Sequence, residues 1–415
     1  MPPITVFVES CHYAGNDKYN LLLDFYAPED LTEFISQSGM EMSTHDASII
    51  EIKGYHSERS LRADTYYDLN VKLLRLAKIN EYSPESHPVA ILATYEFDDN
   101  YGGEYIPLLF PHSPLRSHRT VQYRNVEFRD RRYCLIDDVP WQAERNPGPM
   151  SLRVNNVGQG NWNEILCDGR VAAVFDIGTD THANKFDIQK LLDARLPDYT
   201  QASHDKNRPV LVLSHWDLDH YICLKEMSIQ QIRDSFSAFV FPDKYSGVTA
   251  KEICEKMNVA LGNRCCPVPM HEKTTAPVSE AMHSVFGLFN WHLYGGENNH
   301  NRNRSGLILV VQGPNKSACL TGDCLLSQAE YVMNKSQYAG DNVLIVPHHG
   351  GKYESTFRHY DLVKAQCDRA VISVGPNNSY GHPEESTIRY LSRKFNNSVG
   401  RTDAQQPNVP IIENL

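Results

Sequence analysis

Beyond about residue 150 the chain repeats one texture, in which short apolar runs alternate with polar, helix-compatible stretches. The runs are Val171 to Ile177, Pro209 to Leu213, Ala238 to Phe241, Gly306 to Gln312, Val343 to Val346 and Ala370 to Val374. Strands that recur between helices bury their sheet under helical layers, so the pattern predicts an α/β architecture. Most of the polar clusters able to do chemistry fall directly after these strands, where loops carried by a rigid sheet commonly build active sites.

A chain of 415 residues exceeds what one hydrophobic core usually organises, which predicts a second domain. Residues 1–149 read as an accessory α+β domain, strand-like from Ile4 to Glu9, helical from about Leu61 to Ile79 and strand-like from Pro88 to Tyr95. The breakers Asn146-Pro147-Gly148-Pro149 mark a boundary, 150–395 form the catalytic domain, and 396–415 read as a polar, loosely held tail. No run of about 18 apolar residues is present to span a bilayer, and Met1-Pro2-Pro3-Ile4-Thr5 lacks the features of a signal peptide. The expectation is a soluble, cytoplasmic protein with no membrane partner. Ten cysteines are scattered without a CxxC pair and predict buried free thiols. A net charge of −11 excludes a protein that coats nucleic acid with its whole surface. Attraction for phosphate must then be local, and bound divalent cations are one source of it.

The strongest signal is Leu213-Ser214-His215-Trp216-Asp217-Leu218-Asp219-His220, directly after an apolar strand. In extended backbone alternate residues share a face, so His215, Asp217 and Asp219 can point together and a following turn can return His220 to them. Imidazole and carboxylate both ligate zinc, and added carboxylates shift the preference toward manganese. Three further strand ends carry similar chemistry: Cys319-Leu320-Thr321-Gly322-Asp323, Val346-Pro347-His348-His349-Gly350-Gly351, and the Ser373 to Pro383 segment with Tyr380-Gly381-His382-Pro383. Each alone is a polar loop; four together indicate an assembled site.

These residues resemble the metallo-β-lactamase superfamily. The string His215, Asp217, Asp219, His220 is similar to its HxHxDH signature, in the variant with aspartate for the second histidine, as in the soluble hydrolase domain of ComEC-type DNA-uptake proteins. Val157-Gly158-Gln159-Gly160, Phe175-Asp176-Ile177-Gly178, Leu320-Thr321-Gly322-Asp323, His348-His349-Gly350 and Tyr380-Gly381-His382-Pro383 extend the resemblance, in order, over roughly Leu152 to Glu385. It implies an αββα sandwich and two divalent ions, zinc or manganese. His215 and Asp217 would hold one ion, Asp219 and His220 the other, and Asp323 would bridge both. His349 is preferred over His382 as the ligand completing the second position. His348 and His382 are then candidates, with Asp219, for the catalytic set, contacting a phosphate or protonating a leaving group. His292 is the candidate for the remaining ligand of the first ion, with the Asn298-Asn299-His300-Asn301 run as its alternative.

The implied activity is hydrolysis by a metal-bound hydroxide, with a phosphodiester in a nucleic acid or nucleotide as substrate. A thioester, lactone or lactam is the alternative substrate, and a partner-binding protein that retains the fold is the alternative class. The chain departs from the ComEC-type pattern at Asn156 and Asn161, where aspartates are usual, and at Ile222 and Cys223, which replace glycines after the Asp-His pair. Asn156 and Asn161 are expected to alter hydrogen bonding behind the ligands, and Ile222 and Cys223 to narrow the loop facing the substrate. In the first domain Arg116, His118, Arg119, Arg124, Arg129, Arg131 and Arg132 form a basic stretch suited to phosphates or to an acidic protein partner, although acidic residues are interspersed.

Overall fold

The structure, a computed structural model, describes every residue except 1–3, 16–17, 39–47, 57–64, 70–74, 77–88, 95–104, 110–114, 118–134, 142–147, 182, 201–207, 246, 271–281, 297–301, 336–340, 352–366, 377, 379–380, 396–397 and 407–408. Two compact units are present: Met1–Asn125 with Asn184–Phe186 and Tyr245–Glu255, and Val126–Ala183 with Asp187–Lys244 and Lys256–Leu415.

The first unit is an antiparallel sheet of β1 (Ile4–Gly15), β2 (Lys18–Phe25), β3 (Ser48–His56), β4 (Thr65–Leu69), β5 (Arg75–Leu76), β6 (Val89–Thr94), β7 (Tyr105–Leu109) and β8 (Leu115–Ser117), in the order β5-β7-β6-β3-β2-β1-β4-β8. Helix α1 (Pro28–Ser38) places Leu31, Phe34 and Ile35, spaced to share one face, in a core with Ile4, Val6, Val8, Leu21, Leu23 and Ile52. The expected strands at Ile4 and Pro88 are β1 and β6. The expected helix from Leu61 to Ile79 is not found where that segment is described, since β4 and β5 lie within it. Thr65-Tyr66-Tyr67 favours strand, and the pairs Val6↔Tyr67 and Phe7↔Tyr66 bury both tyrosines. Arg116 lies on β8 opposite Asp68; the other basic residues singled out above lie outside the described residues.

The second unit is a sandwich. Its first sheet combines β9 (Met150–Val154), β10 (Asn163–Cys167), β11 (Arg170–Phe175), β12 (Val210–Val212), β13 (Ala238–Pro242) and β14 (Cys265–Val268) with a strand from the C-terminus. Strands β11 to β14 are parallel, joined through α2 (Lys185–Thr200), α3 (Leu218–Tyr221), α4 (Cys223–Glu226), α5 (Ile229–Ser235) and α6 (Val248–Leu261). The second sheet runs in order through β15 (His283–Leu288), β16 (Trp291–Gly295), β17 (Leu307–Gln312), β18 (Lys316–Leu320), β19 (Asp341–Ile345), β20 (Cys367–Ile372) and β21 (Val399–Arg401), and is parallel from β18 onward.

Alternate residues of the two sheets meet in one core, Val154, Ile165, Phe175 and Val212 from the first and Leu293, Leu309, Leu320 and Ile345 from the second. On the outer face of the second sheet α7 (Leu326–Lys335) and α8 (Glu385–Lys394) bury Val332, Met333 and Leu391. On the outer face of the first, Tyr199 of α2 hydrogen-bonds Glu164 of β10 and accepts from Trp162 Nε1 at 2.8 Å. The layers are therefore αββα, as expected.

Two boundaries differ from the sequence reading. Val139 and Trp141 belong to the sandwich core, with the Trp141 ring stacked on Phe286, so Asn146–Pro149 lies inside the second unit. The last twenty residues are not a loose tail. Val399–Arg401 forms β21, and β22 (Ile411–Asn414) pairs antiparallel with β9, burying Ile411 and Leu415. That apolar alternation spans too few residues to stand out in a polar segment. The described cysteines are free, most of them buried, as expected. No helix among the described residues is long and apolar enough to cross a membrane.

Candidate metal centre

The clusters meet because each follows the carboxyl end of a parallel strand, where α/β sheets leave an open crevice. Asp176 follows β11, Ser214 and His215 follow β12, Asp323 follows β18, His348 and His349 follow β19, and Ser373 follows β20. Two glycines are required by this convergence. A Cβ at Gly178 would stand 1.7 Å from the Asp219 carbonyl oxygen. One at Gly322, whose φ is +53°, would stand 2.5 Å from Ser214 Cβ. The chain is extended only as far as Asp217 (φ −92°, ψ 141°); Asp219 and His220 lie on the short helix α3 rather than on continuing extended backbone.

Six of the seven expected ligands come together. His215 Nε2 lies 3.3 Å from Asp217 Oδ2 and 3.9 Å from Asp323 Oδ2. His220 Nε2 lies 3.1 Å from Asp323 Oδ1 and 3.9 Å from Asp219 Oδ1, and His349 Nε2 lies 3.2 Å from Asp219 Oδ2. Two sets have ligand atoms within 4.8 Å of one another: His215, His220 and Asp323, and Asp219, His220 and His349. The Nε2 atoms of all three histidines and Asp323 Oδ1 are buried without a hydrogen-bond partner, a costly condition that a cation relieves. Nitrogen and carboxylate donors in this number suit a divalent metal ion.

Electrostatics within the cluster are strong. Burial opposes charge on His220, but Asp323, Asp176 and Asp219 outweigh it and raise its pKa well above the ordinary value. Burial would raise the Asp323 pKa, yet His220, His348 and His349 hold it well below the carboxylate range. For His348 the neighbouring Asp323 overrides burial and lifts the pKa to about 9.

Each histidine is oriented from behind. Asp176, at φ 61°, accepts from Ser214 N at 2.6 Å, Ser214 Oγ at 2.8 Å and Asn161 Nδ2 at 2.9 Å, and pairs with His220 Nδ1 at 2.8 Å. Asn161 thus supports the carboxylate that aims His220, and a second aspartate there would repel it. His349 Nδ1 donates to the Ser373 carbonyl at 2.7 Å, which turns Nε2 toward Asp219. His348 and His349 both have positive φ, 51° and 50°, a conformation that non-glycine residues rarely adopt and that functional sites tolerate. It splits the adjacent histidines: His349 is buried, whereas His348 is 38% exposed and holds Asp323 Oδ2 through Nδ1 at 2.7 Å. The His382 ring stands 5.2 Å from that of His348 and outside both ligand sets.

His292 is not brought to the cluster. It sits on β16 between Trp291 and Leu293, both in the inter-sheet core, so alternation sends it to the opposite face, where it bonds Gln312 and the Phe289 backbone. The Asn298 to Asn301 alternative lies outside the described residues. Arg302 was missed by the sequence reading. It is buried, with Nε 2.9 Å from Asp217 Oδ1 and Nη1 donating to the Trp216 carbonyl at 2.6 Å. Its neighbour Asn303 lies 3.3 Å from His348 Nδ1. An arginine in a polar Asn-Arg-Asn-Arg run carries no motif, and the hydrogen bond from Leu307 N to the Ser214 carbonyl, at 2.7 Å, helps bring this turn across the His215 loop.

No family model matches the sequence. Over 92 residues, 22% of this chain, it is 36% identical to ComE operon protein 3 of Bacillus subtilis (strain 168), a stretch that spans 12% of that protein. Among solved structures it is similar to the short form of human tRNase Z, at 11% identity over 63% of this chain and 98% of that one, with a TM-score of 0.37. It is also similar to the metallo-β-lactamase fold protein YhfI from Bacillus subtilis, at 10% identity over 64% of this chain and 100% of that one, with a TM-score of 0.35. By its two helix-covered sheets and the order of its strand-end motifs, this chain has the metallo-β-lactamase fold.

Proposed function

We propose that this protein is a divalent-metal-dependent hydrolase of phosphodiesters in a nucleic acid or nucleotide. The observation that carries the proposal is the convergence of the unpartnered Nε2 atoms of His215, His220 and His349 on the buried carboxylate of Asp323, His220 and His349 toward Oδ1 and His215 toward Oδ2. A bound pair of divalent ions supplies Lewis acidity and a hydrolytic nucleophile at neutral pH. The residues around it do the rest. Asp217, Asp219 and Asp323 offset most of the charge of two such ions, and Arg302 cancels part of Asp217, so the loaded centre is net positive and favours an anionic substrate. His348, partly exposed and 5.2 Å from His382, stands where either ring can hold a phosphate oxygen or protonate the leaving oxygen. Ser373 and Asp176 fix the imidazole directions on which the arrangement depends. In sequence, the basic residues between Arg116 and Arg132 are the candidates for contact with a phosphate chain or an acidic protein.

The test is a panel of single-stranded DNA, RNA, cyclic dinucleotides and a thioester, assayed with manganese or zinc. Turnover of a phosphodiester that the folded Asp219→Asn variant lacks is the expected result. Turnover of the thioester alone would replace the substrate class. Ion binding without any turnover would favour a partner-binding role.

A further inference from the structure

We infer that Arg302 makes the two ion positions unequal, so that Asp219, His220, His349 and Asp323 hold one ion tightly while the position beside His215 and Asp217 is a weak site. The inference rests on the metal-dependent reading above and adds which position is filled first.

The asymmetry follows from counting donors and charge. His220 has one nitrogen to give, because Nδ1 is bound to Asp176 at 2.8 Å and Nε2 alone faces the centre. Its Nε2 lies 3.1 Å from Asp323 Oδ1 and belongs to both ligand sets, with His215 and Asp323 on one side and with Asp219 and His349 on the other. An ion there meets two imidazoles, the full charge of Asp219 and a share of Asp323. Opposite, His215 Nε2 faces Asp217 Oδ2 at 3.3 Å and Asp323 Oδ2 at 3.9 Å. Asp217 Oδ1 lies 2.9 Å from Arg302 Nε without a hydrogen bond of its own, so the guanidinium, charged at every accessible pH, offsets the charge that this carboxylate can offer an ion. Asp323 Oδ2 is likewise drawn away, to His348 at 2.7 Å. Among the described residues the first position therefore has of its own one imidazole and one carboxylate whose charge is offset, shares His220 and Asp323 with the other position, and has a fixed positive charge behind it.

Arg302 is buried, and its bond to the Trp216 carbonyl at 2.6 Å anchors it across the same loop. Occupancy of the His215 position is then set by free ion concentration, or by a phosphate oxygen that adds the missing donor.

Equilibrium titration of the metal-free full chain with manganese, read by metal analysis and by the electron paramagnetic resonance of coupled manganese pairs, tests this. Wild type should bind one ion tightly and a second on the order of tenfold to a hundredfold more weakly. His215→Ala should abolish the weak class and spare the tight one, whereas His349→Ala should remove the tight class. Arg302→Gln, which keeps a donor toward Asp217 and Trp216 without the charge, should strengthen the weak class by about tenfold, and Arg302→Lys should leave it weak. Two ions of equal affinity in wild type, a tight class lost in His215→Ala, or an unchanged gap in folded Arg302→Gln would overturn the inference while leaving the metal-dependent reading intact. If Arg302→Gln does not fold, the wild-type titration and His215→Ala still decide. No stoichiometric ion in wild type would overturn both.

Discussion

Replacing Asp176 by asparagine should disarm the centre without touching a ligand. The carboxylate takes Ser214 N on Oδ1 at 2.6 Å, and Ser214 Oγ, Asn161 Nδ2 and His220 Nδ1 on Oδ2 at 2.8, 2.9 and 2.8 Å. An amide keeps one acceptor, and with its oxygen on Ser214 N its NH2 faces the Asn161 amide and the His220 ring. Asn161 then loses its acceptor, at about 1–3 kcal/mol for an unsatisfied buried donor. His220 can meet the new donor only by accepting at Nδ1, which moves its proton to Nε2 and removes the lone pair aimed at Asp323. Loss of such an orienting partner typically costs 10–100-fold in metal affinity, or about 1.4–2.8 kcal/mol. Isothermal titration with zinc should show that weakening, with stoichiometry unchanged, while denaturant unfolding shows a loss of roughly 1–3 kcal/mol. Wild-type affinity, within a factor of two, in a folded Asp176→Asn protein would refute the orienting role.

Three further outcomes are expected. Gly322→Ala places a Cβ 2.5 Å from Ser214 Cβ at a φ of +53°, and should cost roughly 2–4 kcal/mol in chemical denaturation; a loss under 1 kcal/mol would contradict the close approach. Asp24 is buried, and burial lifts its pKa from 3.8 to about 7 against the backbone bonds from Thr249 and Phe25 that lower it. The folded state then keeps a proton that the unfolded state has lost, so this group's contribution is largest below pH 4 and fades through pH 7, a swing of roughly 4 kcal/mol. The unfolding midpoint of wild type relative to Asp24→Asn should fall between about pH 4 and pH 7, and a constant difference would reject that environment. Truncation after Pro410 removes the buried Ile411 and Leu415 and should destabilise the sandwich by roughly 3–6 kcal/mol, measured in urea; an unchanged midpoint would return the segment to the status of a tail.

The strands that carry the site were legible because a sheet covered on both faces needs unbroken apolar runs, and their ends held histidine and aspartate in a recognisable order. His215, Asp217, Asp219, His220, Asp323 and His349 converge for that reason. His292 was misplaced because residue type says nothing of which face a strand presents: one position either way along β16 would have pointed it into the core instead. Arg302 was invisible for the converse reason. A buried arginine and a solvated one look alike in a polar run, and its partner lies at Asp217, far away along the chain. The Leu61 to Ile79 segment has apolar spacing compatible with a helix, but Tyr66 and Tyr67 pair with β1, and long-range pairing overrides local preference. The edge strand β22 depends on β9, which precedes it by more than 250 residues, and a short run carries no signal of so distant a partner.

Anomalous diffraction from a crystal loaded with manganese addresses the central claim most directly. The account predicts strong density enclosed by the Nε2 atoms of His220 and His349 and the carboxylates of Asp219 and Asp323, with weaker density beside His215. A well-ordered crystal in saturating manganese whose anomalous map is empty at that point would contradict it.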